Sequence, residues 1–373
     1  MVAKTSPPVL SRRALNRATL ERQSLLRRAT VPAKDMVARL VGLQAQNTRP
    51  PYFQLYARIE GFDPMELSAL MESREVVRIV TLRSTIHTHT ADDALTLRPL
   101  VQPARERELK IFRHGLTGVD LERLAAVSRT LVEERPRTMK ELRDALLVHW
   151  PDAEPRALST AARCLLPLVQ VTPRGLWGRG GQVALTTVEH WLGRPSEPAP
   201  APDATVLRYL GAFGPASVKD MQTWAGVTRL REVFERLRPR LVTFRDEHGV
   251  ELFDLPDAPR PDPDTPAPPR FLPAFDNVLL GHADRTRVIP PAYRNRNCVG
   301  NQVYGTVLYD GYFAAIWRLD QTGDTATVTV QILGELGPAA REEITGEAVR
   351  MLAVMSDATV HDVRYAPFVD FGA

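Results

Sequence analysis

One repeated order constrains this chain more than any single motif: helix, helix, helix, then a pair of short strands, three times over residues 9–255. In the first pass, helical patterning runs from Ser11 to Ala29. Pro32 opens a second helix, PAKDMVARLVGLQAQ, at a first-turn position where proline is tolerated, and Pro50-Pro51 end it. YFQLYARIEG and DPMELSALMESREVV supply two more helical stretches, four in this pass against three in the later ones, and VVRIVTLRSTIHTHT alternates like strands. The second pass has a helix over Leu121–Glu134, a capping box at Thr138/Glu141 and a helix opened by Glu154-Pro155. It closes with VQVTPRGLWGRGGQVALTT, two strands around a Gly/Arg-rich tip. Asp63-Pro64-x-x-Leu67-Ser68 and Glu154-Pro155-x-x-Leu158-Ser159 share a signature before these strand pairs. The third pass is shorter: helices over Thr205–Ala212, after Ser217 and over Thr228–Leu237, then LVTFRDEHGVELFDL with His248-Gly249 in the turn.

This is the order of a winged helix, so the spacing predicts winged-helix units at 9–116, 117–193 and 203–255. Pro-rich linkers at 194–203 and 255–270 separate the later parts. Beyond them the period changes to short strands, with Asp310-Gly311 as a hairpin turn and one helix over Pro338–Ser356. The expected class is therefore α+β: three tandem winged-helix units, then a small β-barrel-like domain over 270–373.

Composition narrows the setting. No run of eighteen apolar residues exists, and the N-terminus lacks the apolar stretch of a signal peptide. Two cysteines among 373 residues cannot build a disulfide framework. These features lead to the expectation of a soluble protein of the bacterial cytoplasm and nucleoid. The net charge is +4, but residues 1–60 carry eleven basic and three acidic residues. Such a basic start suits a nucleic-acid partner, and a solvated surface equally well. Of the 48 basic residues only five are lysine, a bias that GC-rich coding also produces. Arginine nevertheless brings a planar fork for phosphate.

The usual catalytic signatures are missing: there is no Walker-type glycine loop and no G-x-S-x-G elbow. His87 and His89 lie in a strand and read as strand residues; Cys164 reads as core and Cys298 as a lone thiol. No residues with metal-ligand spacing are found, and no metal or cofactor is expected. One segment is unusual. Gly42-Leu43-Gln44-Ala45-Gln46-Asn47 places three amides where an apolar or charged helix end would be ordinary. On a helix Gln44 and Gln46 would diverge by ~200°; on extended backbone they would share a face. By pattern alone the segment reads as a frayed polar helix end.

LVGLQAQ (40–46), TLRSTIHTHTADD (81–93) and FLPAFDNVLLGHADRTRVI (271–289), with the order of the units, resemble the AlkZ family of winged-helix DNA glycosylases over essentially the whole chain. The resemblance implies that Gln44 and Gln46 are a catalytic Gln-x-Gln pair, in place of the Gln-x-Asp of a sister branch. It also implies a C-shaped assembly with DNA in its channel. Asn47, Arg49, Arg83, Arg285 and Arg287 become candidate DNA contacts, although each alone reads as a solvated side chain. Asp276 reads either as a helix cap or as a group ordering those arginines.

The activity so implied is monofunctional hydrolysis of the N-glycosidic bond of N7-alkylguanine, azinomycin-type interstrand crosslinks included. It would give self-resistance to a genotoxic natural product. The expected partner is double-stranded DNA bearing a cationic alkylated guanine, acted on by a monomer without lyase activity or membrane association. No lysine lies between Lys34 and Lys110 to form a Schiff base beside the amides. The rival reading is a non-enzymatic winged-helix regulator or a drug–DNA sequestering protein, because a fold of this kind does not decide function.

Overall fold

The computed structural model describes residues 7–299 and 302–368. Its strands are, in chain order, β1 (Val9–Leu10), β2 (Leu43–Gln44), β3 (Val76–Val80), β4 (Ile86–Thr90), β5 (Arg137–Thr138), β6 (Leu168–Gln170) and β7 (Ala184–Thr187). Then follow β8 (Val242–Asp246), β9 (Glu251–Asp254), β10 (Arg270–Leu272), β11 (Cys298–Val299), β12 (Gln302–Val303), β13 (Gly305–Tyr309), β14 (Tyr312–Thr322), β15 (Thr325–Ile332) and β16 (Val360–Pro367). The chain is mixed α+β, as expected.

The first helix spans Arg12–Arg22, shorter than its apolar pattern, and Ser11 caps it by accepting from the Ala14 N–H. Helices Pro50–Tyr56 and Pro64–Glu72 follow the proline signals. Two helices, Ala91–Leu100 and Gln102–Ile111, fill a stretch that the repeat left unassigned. The capping box at Thr138/Glu141 forms as read and opens Met139–Leu147. Pro202–Phe213, Val218–Ala225 and Arg231–Leu237 lead into the β8–β9 hairpin.

The strand pairs of the first two repeats do not stand apart. β3 pairs with β6, which joins both into one six-stranded sheet of order β2-β4-β3-β6-β7-β5. β1 runs parallel to β8 and ties the start of the chain to the third repeat. The C-terminal region corrects an expectation. It is an open five-stranded sheet, β10-β13-β14-β15-β16, not a closed barrel. The Pro338–Met355 helix returns the chain so that β16 lies parallel to β15, leaving β10 and β16 as opposite edges. Nor does this sheet have a core of its own. Met36, Val37, Leu40, Leu43 and Phe53 from the first repeat pack in one cluster with Phe271, Trp317, Ile344 and Met351. That shared core carries β2, which holds Gln44 with Gln46 two residues beyond, against the C-terminal sheet.

Candidate active site

The helix expected to run through the amides ends at Arg39, so the frayed-helix reading is replaced by a turn and a strand. Val41 and Gly42 take left-handed φ values of 55° and 92°, which an apolar pattern cannot signal. Gly42 is required twice over: a Cβ there would also fall 2.2 Å from the His89 ring. Leu43 and Gln44 then pair antiparallel with Thr88 and His87. The apolar run Leu40-Val41-Leu43 looked helical because a short strand buried on both faces has the same composition.

β2 is an edge strand, and one of its carbonyls and those of the two residues flanking it are taken by side chains from three places. Asn277 donates to the Gly42 carbonyl at 2.7 Å, Gln54 to that of Gln44 at 3.0 Å and Arg78 to that of Ala45 at 2.9 Å. Behind Gln54 stands a buried ion pair, Arg58–Asp276, with N···O distances of 2.8 and 2.7 Å. Arg58 also donates to the Gln54 carbonyl. Asp276 caps the short Asn277–Leu280 helix by accepting from the Val278 N–H. Of the two roles weighed for Asp276 the cap forms, while its ion pair is with Arg58 and not with any of the candidate DNA-contact arginines.

The two amides differ in setting. Gln44 is 4% exposed, and its Oε1 accepts from Nη2 of Arg83 at 2.7 Å. Gln46 is exposed, and its Oε1 accepts from the Ile86 N–H at 2.9 Å. In a regular antiparallel pair Ala45 and Ile86 would exchange both bonds. Ala45 does give its N–H to Ile86, at 2.7 Å, but the Gln46 side chain takes the returning bond. That substitution frees the Ala45 carbonyl for Arg78. Because both donors are N–H groups, each amide must turn its oxygen toward them. Each oxygen keeps a second lone pair.

Arg83 was expected on phosphate, but its guanidinium is directed inward. It donates to Gln44 and to the Trp224 carbonyl, and its Nη2 lies 3.4 Å from Nε2 of His87. Burial, with the Arg285 charge nearby, lowers its pKa to about 10, so it stays protonated at neutral pH. Its backbone is left-handed, φ 53° and ψ 23°, at a cost of roughly 1–2 kcal/mol for a residue with a Cβ. His87 and His89 are buried and stacked, ring centroids 5.5 Å apart. Burial pushes His87 well below its ordinary value and His89 down to about 4, so both are neutral. His87 Nδ1 lies 3.0 Å from the Thr85 carbonyl, which can only accept, so that nitrogen carries the proton and Nε2 faces Arg83. Among the described residues no group of histidines, cysteines and carboxylates could hold a metal.

The remaining predicted contacts divide. Asn47, Arg49 and Arg285 are exposed. Arg49 lies over the Trp177 ring at 5.3 Å, and Arg285 lines a cavity of about 780 Å³ between the third repeat and the C-terminal region. Arg287 is a correction. It is 6% exposed and donates to Thr19 Oγ1 at 3.2 Å and to the Pro215 carbonyl at 3.0 Å, so it braces the interior. Sequence reasoning missed Gln54, Arg58, Arg78 and Asn277. Only the FDN triplet in a matched segment hinted at the last of these.

A family model described as DNA glycosylase AlkZ-like matches residues 37–354. An interstrand DNA cross-link repair glycosylase of Streptomyces sahachiroi is 25% identical over 332 residues, covering 80% of this chain and 85% of that one. The solved DNA glycosylase AlkZ of the same organism superposes with a TM-score of 0.78 at 19% identity, over 96% of this chain and 100% of that one. That likeness shows the shared fold.

Proposed function

The chain belongs to the AlkZ-like DNA glycosylase family, and on that premise we propose that it hydrolyses the N-glycosidic bond of N7-alkylguanine in duplex DNA, crosslinked adducts included. The observation that carries this reading is the pinned edge strand. The strand and the residues that follow it hold two neutral amides, Gln44 and Gln46, whose oxygens each accept one fixed N–H and keep one lone pair. Alkylation at N7 makes guanine cationic, so it leaves C1′ with little acid assistance. The C1′–N9 bond breaks with its electron pair going to the base, which neutralises it. Water adds at C1′ and its proton passes to solvent, because a carboxamide is no base at accessible pH. The amide oxygens orient that water and set a negative dipole toward the oxocarbenium-like sugar. Placement of one water contributes several kcal/mol, on the order of measured proximity gains.

The same reading makes the reaction hydrolytic, without a lyase step or metal; Lys34 is held by Glu75 at 2.7 Å. Three winged-helix units at 9–116, 117–193 and 203–255 would cradle the duplex, with Asn47, Arg49 and Arg285 toward it. The protein would act as a monomer at the nucleoid and protect its host from a genotoxic alkylator. No helix among the described residues is long and apolar enough to cross a membrane. The decisive assay incubates the protein with duplexes carrying N7-methylguanine or an azinomycin crosslink. Release of free base and abasic sites is expected; tight binding with no release would favour a regulator or sequestering protein.

A further inference from the structure

We infer that Arg83 is a positioning residue for Gln44, and that the third repeat supplies the brace which holds it there. The inference rests on the catalytic reading of Gln44 and adds a residue and a direction of support to it. The Gln44 oxygen accepts from Nη2 of Arg83 at 2.7 Å. A guanidinium has no acceptor, so only one of the two amide orientations is compatible with that contact. The His87 Nε2 lone pair sits 3.4 Å from the same nitrogen, and the Trp224 carbonyl takes Nη1. All three partners are neutral acceptors. Among the described residues no carboxylate is bonded to Arg83, which distinguishes it from Arg17, Arg22 and Arg58, each paired with an aspartate.

The brace comes from the end of the Val218–Ala225 helix. Trp224 lies in its last turn, and Gly226 caps it at φ 74°. A Cβ on Gly226 would fall 2.9 Å from both Cα and N of Arg83, so the cap glycine permits the two backbones to meet. Arg83 itself holds a left-handed conformation that a Cβ disfavours, as does Ser84 at φ 58°. The strain and the close approach serve one result: a guanidinium of the first repeat is anchored on a carbonyl of the third while it bonds an amide of its own repeat. A phosphate-binding arginine needs neither feature.

The test compares Arg83→Gly and Arg83→Met with wild type, using single-turnover release of N7-methylguanine and duplex affinity across a salt series. Glycine adopts φ 53° readily, so Arg83→Gly removes the side chain without opposing the turn. At saturating protein the rate should fall roughly ten- to a hundredfold, within the range seen when one preorganised donor is lost. Affinity and its salt slope should stay near wild type, and millimolar guanidinium should restore part of the Arg83→Gly rate. Gln44→Ala with Arg83→Met should be no slower than Gln44→Ala alone, since residues acting as one unit are not additive. A normal saturated rate with weaker binding and a salt slope lower by about one would overturn the inference in favour of a phosphate contact. Fully additive losses would also overturn it. Gln44→Ala excising at the wild-type rate would instead remove the catalytic reading on which it rests, a separately visible result.

Discussion

The Gln44 and Gln46 side chains are chemically identical but held in different ways, and substitution should expose both the shared role and the difference. Gln44→Ala and Gln46→Ala should each slow N7-alkylguanine release by on the order of 10²–10³, by comparison with loss of one oxyanion donor. DNA affinity should change little, because neither amide adds charge. Gln46→Asp should retain more activity than Gln46→Ala, since a carboxylate can hold the water and favour a cationic sugar. Single-turnover rates decide this, and wild-type rates in both alanine variants would place the catalytic groups elsewhere. The importance of the segment was legible in its three amides beside Pro-Pro. Their conformation was not, since it depends on φ values of 55° and 92° at Val41 and Gly42 that apolar periodicity does not record.

At the scale of elements, β2 is too short to hold itself. Two residues pair with β4, and the strand keeps its course because Gln54 occupies the Gln44 carbonyl and Asn277 and Arg78 those of the flanking Gly42 and Ala45. The Arg58–Asp276 pair behind them is 0% exposed on both side chains. Asp276→Ala would leave a buried guanidinium without its counter-ion and should cost about 3–5 kcal/mol. Chemical denaturation measures that loss, and excision should fall with it as β2 loosens. A loss below about 1 kcal/mol would show that its other two acceptors, Gln23 Oε1 at 3.1 Å and the Gln54 carbonyl at 3.0 Å, suffice to satisfy Arg58. The sequence placed Asp276 in a matched segment, but its partner lies 218 positions away, a separation that no local pattern encodes.

For the molecule as a whole, charge and buried histidine set the expected responses to solution conditions. If exposed arginines such as Arg49 and Arg285 meet phosphates, duplex affinity should fall steeply with salt, and replacing either by alanine should reduce the log–log slope by about one. A slope unaffected by these substitutions would assign the contacts to other residues. Acid should destabilise the fold before most carboxylates titrate. His87 and His89 are kept neutral by burial, whereas the unfolded chain protonates them near pH 6.5. Below that pH the unfolded state binds more protons, so stability falls as pH falls, until the folded site protonates at about 4 for His89. His89 alone accounts for about 3 kcal/mol across that window. Denaturation midpoints between pH 7 and 5 test this, and a flat profile would contradict neutral burial.

Local rules acted within a few residues, and those the sequence by itself determined. Caps at Ser11, Thr138 and Ser217 set helix starts, proline opened the helices at Pro50, Pro64 and Pro155, and the His248-Gly249 turn set the β8–β9 hairpin. The repeated order of helices and strand pairs followed from these short-range preferences. Tertiary structure alone decided what the pieces did next. It joined two strand pairs into one sheet through β3 and β6 and left the C-terminal sheet open because a helix returns β16 parallel to β15. It also buried Arg287 and turned Arg83 from a surface charge into a partner of Gln44. An arginine in a sequence is a charge of unassigned direction. Whether it meets water, a carboxylate or an amide depends on surfaces brought together from distant parts of the chain, where desolvation and hydrogen-bond geometry choose its partner.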